Sequence, residues 1–308
     1  MLDAYDIYSR WNAHPTRPGA SSAHDATYRF IVRPTISGTA VRLRLVNATN
    51  YGPAITGTHP VTINAIDVGL REGSRGANIL RGTNHAVTFS GRGNVTLRRG
   101  ASALSDPVTM NVPRLAEVAV SVYTSGSQPG PPLHPQTYGT QFVTADGAGN
   151  HAGQLSGTAF TKLQEPIYWL DAVDLLTTAP RSIVAIGDSI TDGDQCANRI
   201  RSACQYNDDF GIDRHPTYPD FLAARIASAT RLPETAVINE GSNGTDSFQT
   251  AGQLQHDVLD LPGVTDAIIE VGTNDLPGRA TASIIANMTR IARTLHLHRI
   301  TILFSRRS

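Results

Sequence analysis

Ser189 sits in the stretch Gly187-Asp188-Ser189-Ile190-Thr191-Asp192-Gly193, directly after the apolar run Ile183-Val184-Ala185-Ile186. Such a run reads as a buried strand. A serine delivered by a strand end into a glycine-bounded loop stands clear of its neighbours, as a nucleophile must. The loop reads Gly-x-Ser-x-Thr and lacks the second glycine of a Gly-x-Ser-x-Gly elbow. The same residue types also build ordinary turns.

Two further loops follow predicted strands. One is Asn239-Glu240-Gly241-Ser242-Asn243-Gly244-Thr245, and the other is Gly272-Thr273-Asn274-Asp275. Their contents suit acyl transfer. Ser189 Oγ would attack an ester carbonyl, and the tetrahedral oxyanion then needs hydrogen-bond donors fixed beforehand. The Ser189 N–H, the Gly244 N–H and the Asn274 side-chain amide are three candidates. Removing one such donor costs about 3–4 kcal/mol of transition-state stabilisation. Gly244 has no Cβ to hold substrate away. Each loop also reads as a turn or a helix cap, and Asp188 and Asp275 read as supporting residues that brace their loops.

The elements that carry these loops have a distinct grammar. After about residue 179, strands alternate with helical patterns. The predicted strands are 182–186, 236–239, 266–271 and 299–304, and the predicted helices are 218–230, 246–261 and 279–297. Alternation of this kind implies a parallel sheet covered on both faces. In such sheets sites form beyond the carboxyl ends of strands near a topological switch point. From about residue 27 to 176 the chain reads as β. Short runs at 27–33, 39–47, 60–68, 85–89, 95–98, 107–112 and 117–123 are rich in Val, Ile, Thr, Tyr and Phe. Val41-Arg42-Leu43-Arg44-Leu45-Val46 and Val118-Ala119-Val120-Ser121-Val122-Tyr123 alternate apolar with polar. Many short strands argue for an all-β sandwich or jelly roll, and 125–132 reads as a loop. The expected division is a β-sandwich domain over 1–178 and an α/β domain over 179–308.

A chain of 308 residues, 40% hydrophobic, suits two domains with real cores. Its 26 basic and 26 acidic residues cancel, and no basic block marks a nucleic-acid partner. No apolar run approaches the roughly 20 residues of a membrane span, and the N-terminus shows no signal-peptide pattern. Cys196 and Cys204 lie eight residues apart after the serine loop. A short disulfide, implying an oxidising compartment, and two free thiols are both open. Two cysteines with no nearby histidine pair do not fill a zinc site.

The 187–193 stretch resembles the first signature block of the GDSL, or SGNH, hydrolases. Residues 239–245 resemble the second, with Gly244 at the oxyanion position, and Gly272-Thr273-Asn274-Asp275 resembles the third. The resemblance covers roughly 182–304. It implies a flavodoxin-like α/β/α fold, a serine esterase with Ser189, Gly244 and Asn274 as catalytic residues, and no cofactor or metal. The β-rich half resembles the domain preceding the catalytic unit in a bacterial secreted subgroup, through Trp11-Asn12-Ala13-His14-Pro15 and Leu43-Arg44-Leu45-Val46-Asn47. That implies an extracellular or periplasmic location and small-molecule or polysaccharide ester substrates, acetylated carbohydrate among them.

One block departs from the family pattern. No Asp-x-x-His follows Asn274, so the base that activates serine and the carboxylate that orients it have no counterpart. His296 and His298 end a predicted helix, and His215 and His256 lack the right neighbours. The expectation is a domain truncated after its fourth strand, with impaired turnover, since losing the histidine of a triad costs roughly 10⁶-fold. An open apolar sheet edge would follow, and with it poor solubility or oligomers. Residues 195–213 are the expected specificity loop. A binding protein is the alternative, with Trp11, Tyr51 and Tyr123 stacking on sugar or filling a core. A nucleotide-binding reading has no Gly-x-Gly-x-x-Gly or Gly-Lys-Ser/Thr loop behind it.

Overall fold

The computed structural model describes residues 7–12, 17–18, 22–48, 59–134, 139–164, 166–179, 181–193, 215, 217–276 and 278–304. The chain divides into two compact units, Trp11–Leu176 and Thr177–Ser308 with Met1–Arg10. Cys196, Cys204, Tyr51, the loop 195–213 and the tail 305–308 lie outside the described residues.

The first unit is all-β. Val118–Thr124 lies antiparallel between Ala26–Val32 and Ala65–Leu70, with Val120 opposite Phe30 on one side and Val68 on the other. Gln141–Val143 and Lys162–Gln164 extend this sheet beyond Ala26–Val32, and His85–Ala86 closes its far side. A second antiparallel sheet places Gly38–Val46 between Leu170–Thr177 and Val108–Val112. Gly38–Val46 alternates in burial as its sequence alternates in polarity.

Val118–Thr124 does not behave that way. Alternation predicts one wet face, yet Val118 to Val122 are all buried, Ser121 included. The cause is a second layer on the polar side. Arg29 is fully buried there, and donates from Nε to Ser121 Oγ (2.9 Å) and through its NH1 and NH2 groups to the carbonyls of Ala77 (2.5 Å) and Gln154 (2.7 Å). Its guanidinium carbon also lies 4.1 Å from the Phe160 ring centroid. Loop carbonyls thus satisfy the polar groups that burial would otherwise penalise. The expected loop 125–132 gives way at Pro132–His134, a three-residue strand too short to show a period. Tyr123 is half-buried and its hydroxyl donates to Asp25 at 2.8 Å.

The second unit is α/β. Its strands are β1 (Arg181–Gly187), β2 (Thr235–Gly241), β3 (Asp266–Glu270) and β4 (Thr301–Phe304), all parallel and ordered 2-1-3-4. Its helices are α1 (Ser189–Asp192), α2 (Tyr218–Ser228), α3 (Ser247–Leu254) and α4 (Thr281–Leu297). The chain leaves β1 toward β2 and then crosses back to β3 on its other side. Right-handed crossovers in opposite directions put α2 and the α3/α4 pair on opposite faces. Val184, Ile186, Ile238, Ala267 and Ile269 bury against Ala251 and Leu254 of α3 and Ile291 and Leu295 of α4.

Helix starts follow from local capping. Thr217 and Asp220 form a reciprocal box before α2, and Asp246 and Gln249 do so before α3. The single helix expected over 246–261 is α3 followed by one π turn, Gln255–Leu259. Among the described residues no helix is long and apolar enough to cross a membrane.

Candidate active site

The order 2-1-3-4 makes the carboxyl ends of β1 and its neighbours β2 and β3 the switch point of the sheet, where α/β proteins place ligands. The Ser189, Gly244 and Asn274 loops all leave from there.

Ser189 opens α1, a single helical turn. Asp188 caps it, with Oδ1 accepting the Ile190 N–H at 2.9 Å, and the turn closes at Gly193 with φ 103°. Asp188 is buried while Ser189 is half-buried. The turn begins tightly because residue 187 is glycine. A Cβ there would lie 2.0 Å from Thr191 Oγ1 and 2.5 Å from the Glu270 carbonyl. The Ser189 N–H is one of the donors that a helix N-terminus leaves unused, and no described residue accepts it.

The second loop is bonded directly to the first. The Ser242 N–H donates to the Gly187 carbonyl at 2.9 Å. Asn239 Nδ2 donates to the Thr191 carbonyl at 2.9 Å, while its Oδ1 accepts the Gly241 N–H at 2.9 Å. Gly241 is packed so closely that a Cβ would lie 2.0 Å from Asp192 N. Gly244 then turns outward at φ 79°, exposed, and its N–H has no acceptor among the described residues.

The third loop is bonded to the second. Thr273–Asp275 is a 3₁₀ turn entered through Gly272 at φ 131°. Asn274 is exposed, and its Nδ2 donates to the Thr245 carbonyl at 3.0 Å. A primary amide has two N–H groups, so one is fixed on Thr245 and the other stays available. Asp275 is fully buried and accepts both the Ser247 N–H (2.9 Å) and the Ser247 hydroxyl (2.6 Å). Asn287 of α4 donates to Ser247 Oγ at 3.0 Å.

Tyr218 braces the serine turn from α2. Its hydroxyl accepts from Thr191 Oγ1 at 3.3 Å, and burial pushes its pKa up to about 12. Asp246 is the N-cap of α3. Burial works to raise its pKa, but donation from Gln249 and Arg279 outweighs this and leaves it below the usual carboxylate range.

The histidines after Ser189 fall in different places. His296 and His298 close α4, whose 17 residues span about 25 Å. That helix starts beside the third loop and runs back along the sheet, so both lie at the far end. His256 is in the π turn that continues α3 away from the second loop. His215 precedes α2, the helix whose Tyr218 meets Thr191.

The bonds from Ser247 to Asp275, Asn287 to Ser247 and Thr191 to Tyr218 were not read from the sequence. The Asp246-x-x-Gln249 capping pattern was the one signal there for a helix start beside the site.

Residues 185–306 match the model of the GDSL-like lipase/acylhydrolase family. The C-terminal unit carries a GDSL-like hydrolase domain. The GDSL domain is similar to the solved structure of AlinE4, an esterase of the SGNH-hydrolase family, at 25% identity over 42% of this chain and 59% of that one, with a TM-score of 0.33. It is also similar to TesA, at 20% identity over 40% of this chain and 59% of that one, with a TM-score of 0.31. A putative lipolytic protein of the G-D-S-L family from Desulfitobacterium hafniense DCB-2 is similar at 18% identity over 40% of this chain and 57% of that one, with a TM-score of 0.30. The chain spans less than two thirds of the length of each. No curated protein matches it.

Proposed function

We propose that the GDSL domain is a serine ester hydrolase acting on small acyl esters, acetylated carbohydrate among them. Ser189 is the nucleophile, and the Ser189 N–H, the Gly244 N–H and the free N–H of Asn274 hold the oxyanion. The observation that carries this reading is the way exposed donors stand on buried anchors. Gly244 and Asn274 are exposed, while their neighbours Thr245 and Asp275 are buried and hydrogen-bonded through their loops. Donors fixed before charge develops cost no reorganisation during reaction.

In the forward step Ser189 Oγ bonds to the ester carbonyl carbon and its proton must pass to a base. The alcohol then leaves with a proton, and water releases the acid. The 308 residues hold no Asp-x-x-His after Asn274. Serine is a weak nucleophile without a base, so slow turnover is the expectation for these residues alone.

The test is release of nitrophenol from p-nitrophenyl acetate by the chain and by Ser189→Ala. Hydrolysis that falls to the background rate in Ser189→Ala is the result this reading requires, and it means that a group in this chain takes the serine proton in place of the missing histidine. Asn274→Ala should lower kcat about 10²-fold, as loss of one donor does. Equal rates for the chain and Ser189→Ala would overturn the reading.

A further inference from the structure

We propose that Arg279 is a positioning residue of the oxyanion pair, clasping the loop that carries Gly244 to the loop that carries Asn274. The inference rests on the ester-hydrolase reading of this site. Arg279 belongs to the third loop by its backbone, with its N–H donating to the Asp275 carbonyl at 2.9 Å. Its side chain reaches the second loop, where Nε donates to Asp246 Oδ2 at 2.8 Å and a terminal nitrogen donates to the same oxygen. Nε also lies 3.4 Å from Asp275 Oδ1. The guanidinium carbon is 5.2 Å from the Phe248 ring centroid.

One planar cation therefore touches residues two past Gly244 and one past Asn274. Its contacts are two charge-assisted bonds, a nearby buried carboxylate and an aromatic face, the combination that suits arginine and not lysine. Inside the clasp, Asn274 holds the Thr245 carbonyl and Asp275 holds Ser247. Those inner bonds set the distance between loops. Arg279 sets their angle from outside, because Asp246 is also the cap of α3 and cannot move without that helix. Oxyanion donors lose most of their effect when displaced by a fraction of an ångström, so an outer clasp acts on turnover more than on ground-state binding.

The test uses phenylboronic acid, which forms a tetrahedral anionic adduct with an active serine and so reports the donors without a turnover step. Adduct formation by the full chain is followed by ¹¹B NMR for the unsubstituted protein, Ser189→Ala, Arg279→Met, Arg279→Lys and Asp246→Asn. Asparagine still caps a helix, so Asp246→Asn removes the ion pair and keeps α3. The expected result is an adduct lost in Ser189→Ala, weakened tenfold or more in Arg279→Met and Asp246→Asn, and partly recovered in Arg279→Lys. The double variant should be no weaker than either single one, because the two residues act through one contact. Hydrolysis of p-nitrophenyl acetate should show the same order in kcat with KM unmoved. An adduct that depends on Ser189 but is unchanged in Arg279→Met overturns the clasp and leaves the hydrolase reading standing. No adduct in the unsubstituted chain overturns the reading, and the clasp with it.

Discussion

Two glycines set how closely the three loops approach, and each does so for want of a single carbon. At Gly241 the missing Cβ is replaced by the backbone of Asp192, and at Gly187 by Thr191 and the Glu270 carbonyl. Backbone cannot rotate aside as a flexible side chain can. Gly241→Ala should therefore destabilise the α/β unit by about 1–3 kcal/mol, the usual cost of overpacking, and should shift the serine turn. A urea midpoint unchanged from that of the parent chain would refute this. Tyr218 gives a second prediction at the same scale. Its pKa rises from the usual 10.0 to about 12 on burial. A phenol that holds its proton more tightly when folded contributes fully below its unfolded pKa and loses that contribution as pH rises through the folded value. The stability difference between the parent and Tyr218→Phe should thus be flat below pH 10.0 and change between there and about 12. Chemical denaturation at several pH values measures it, and a pH-independent difference would count against the link.

At the scale of elements, the direction of α4 decides which histidines can matter. It starts beside Asn274 and ends at Leu297, so His296 and His298 sit at the amino ends of the strands. Alanine at either position should leave hydrolysis of p-nitrophenyl acetate within twofold of the parent, and a tenfold loss would mean that the ends of the sheet are not as separate as the helix length requires. The same elements show what a sequence displays. Strands β1, β2 and β3 and their glycine-marked loops were legible because apolar runs, glycines and caps are local signals. So were Gly38–Val46 and the parallel α/β order. Gln141–Val143 was not, because three residues show no period. The π turn at Gln255–Leu259 was not, because its apolar spacing continues that of α3. Within the site, residue types were legible and their connections were not. Asn239 meets Thr191 across 48 positions and Arg279 meets Asp246 across 33, contacts that no local pattern encodes. Arg29 is the same lesson in the other unit, since an arginine in an alternating strand reads as solvent-facing until a loop covers it.

For the whole molecule, charge and exposed apolar surface point the same way. The 26 basic and 26 acidic residues leave no net charge to keep copies apart. Strand β4 pairs only with β3 among the described residues, so it presents one row of backbone donors and acceptors. Leu303 on that strand is 53% exposed, and Ile285 and Leu297 of α4, the helix that precedes it in the chain, are 60% and 80% exposed. An edge strand that exposes an apolar side chain is a template for pairing with another chain, and natural sheets blunt such edges with charge. We therefore expect these 308 residues to associate in a concentration-dependent way through β4. Sedimentation velocity across a hundredfold range of concentration reads this directly. Leu303→Lys should shift the distribution toward monomer without lowering the urea midpoint, because the side chain it replaces is already half in water. A parent chain that sediments as a monomer throughout would show that β4 is covered in solution. Association that survives Leu303→Lys would move the contact to another surface.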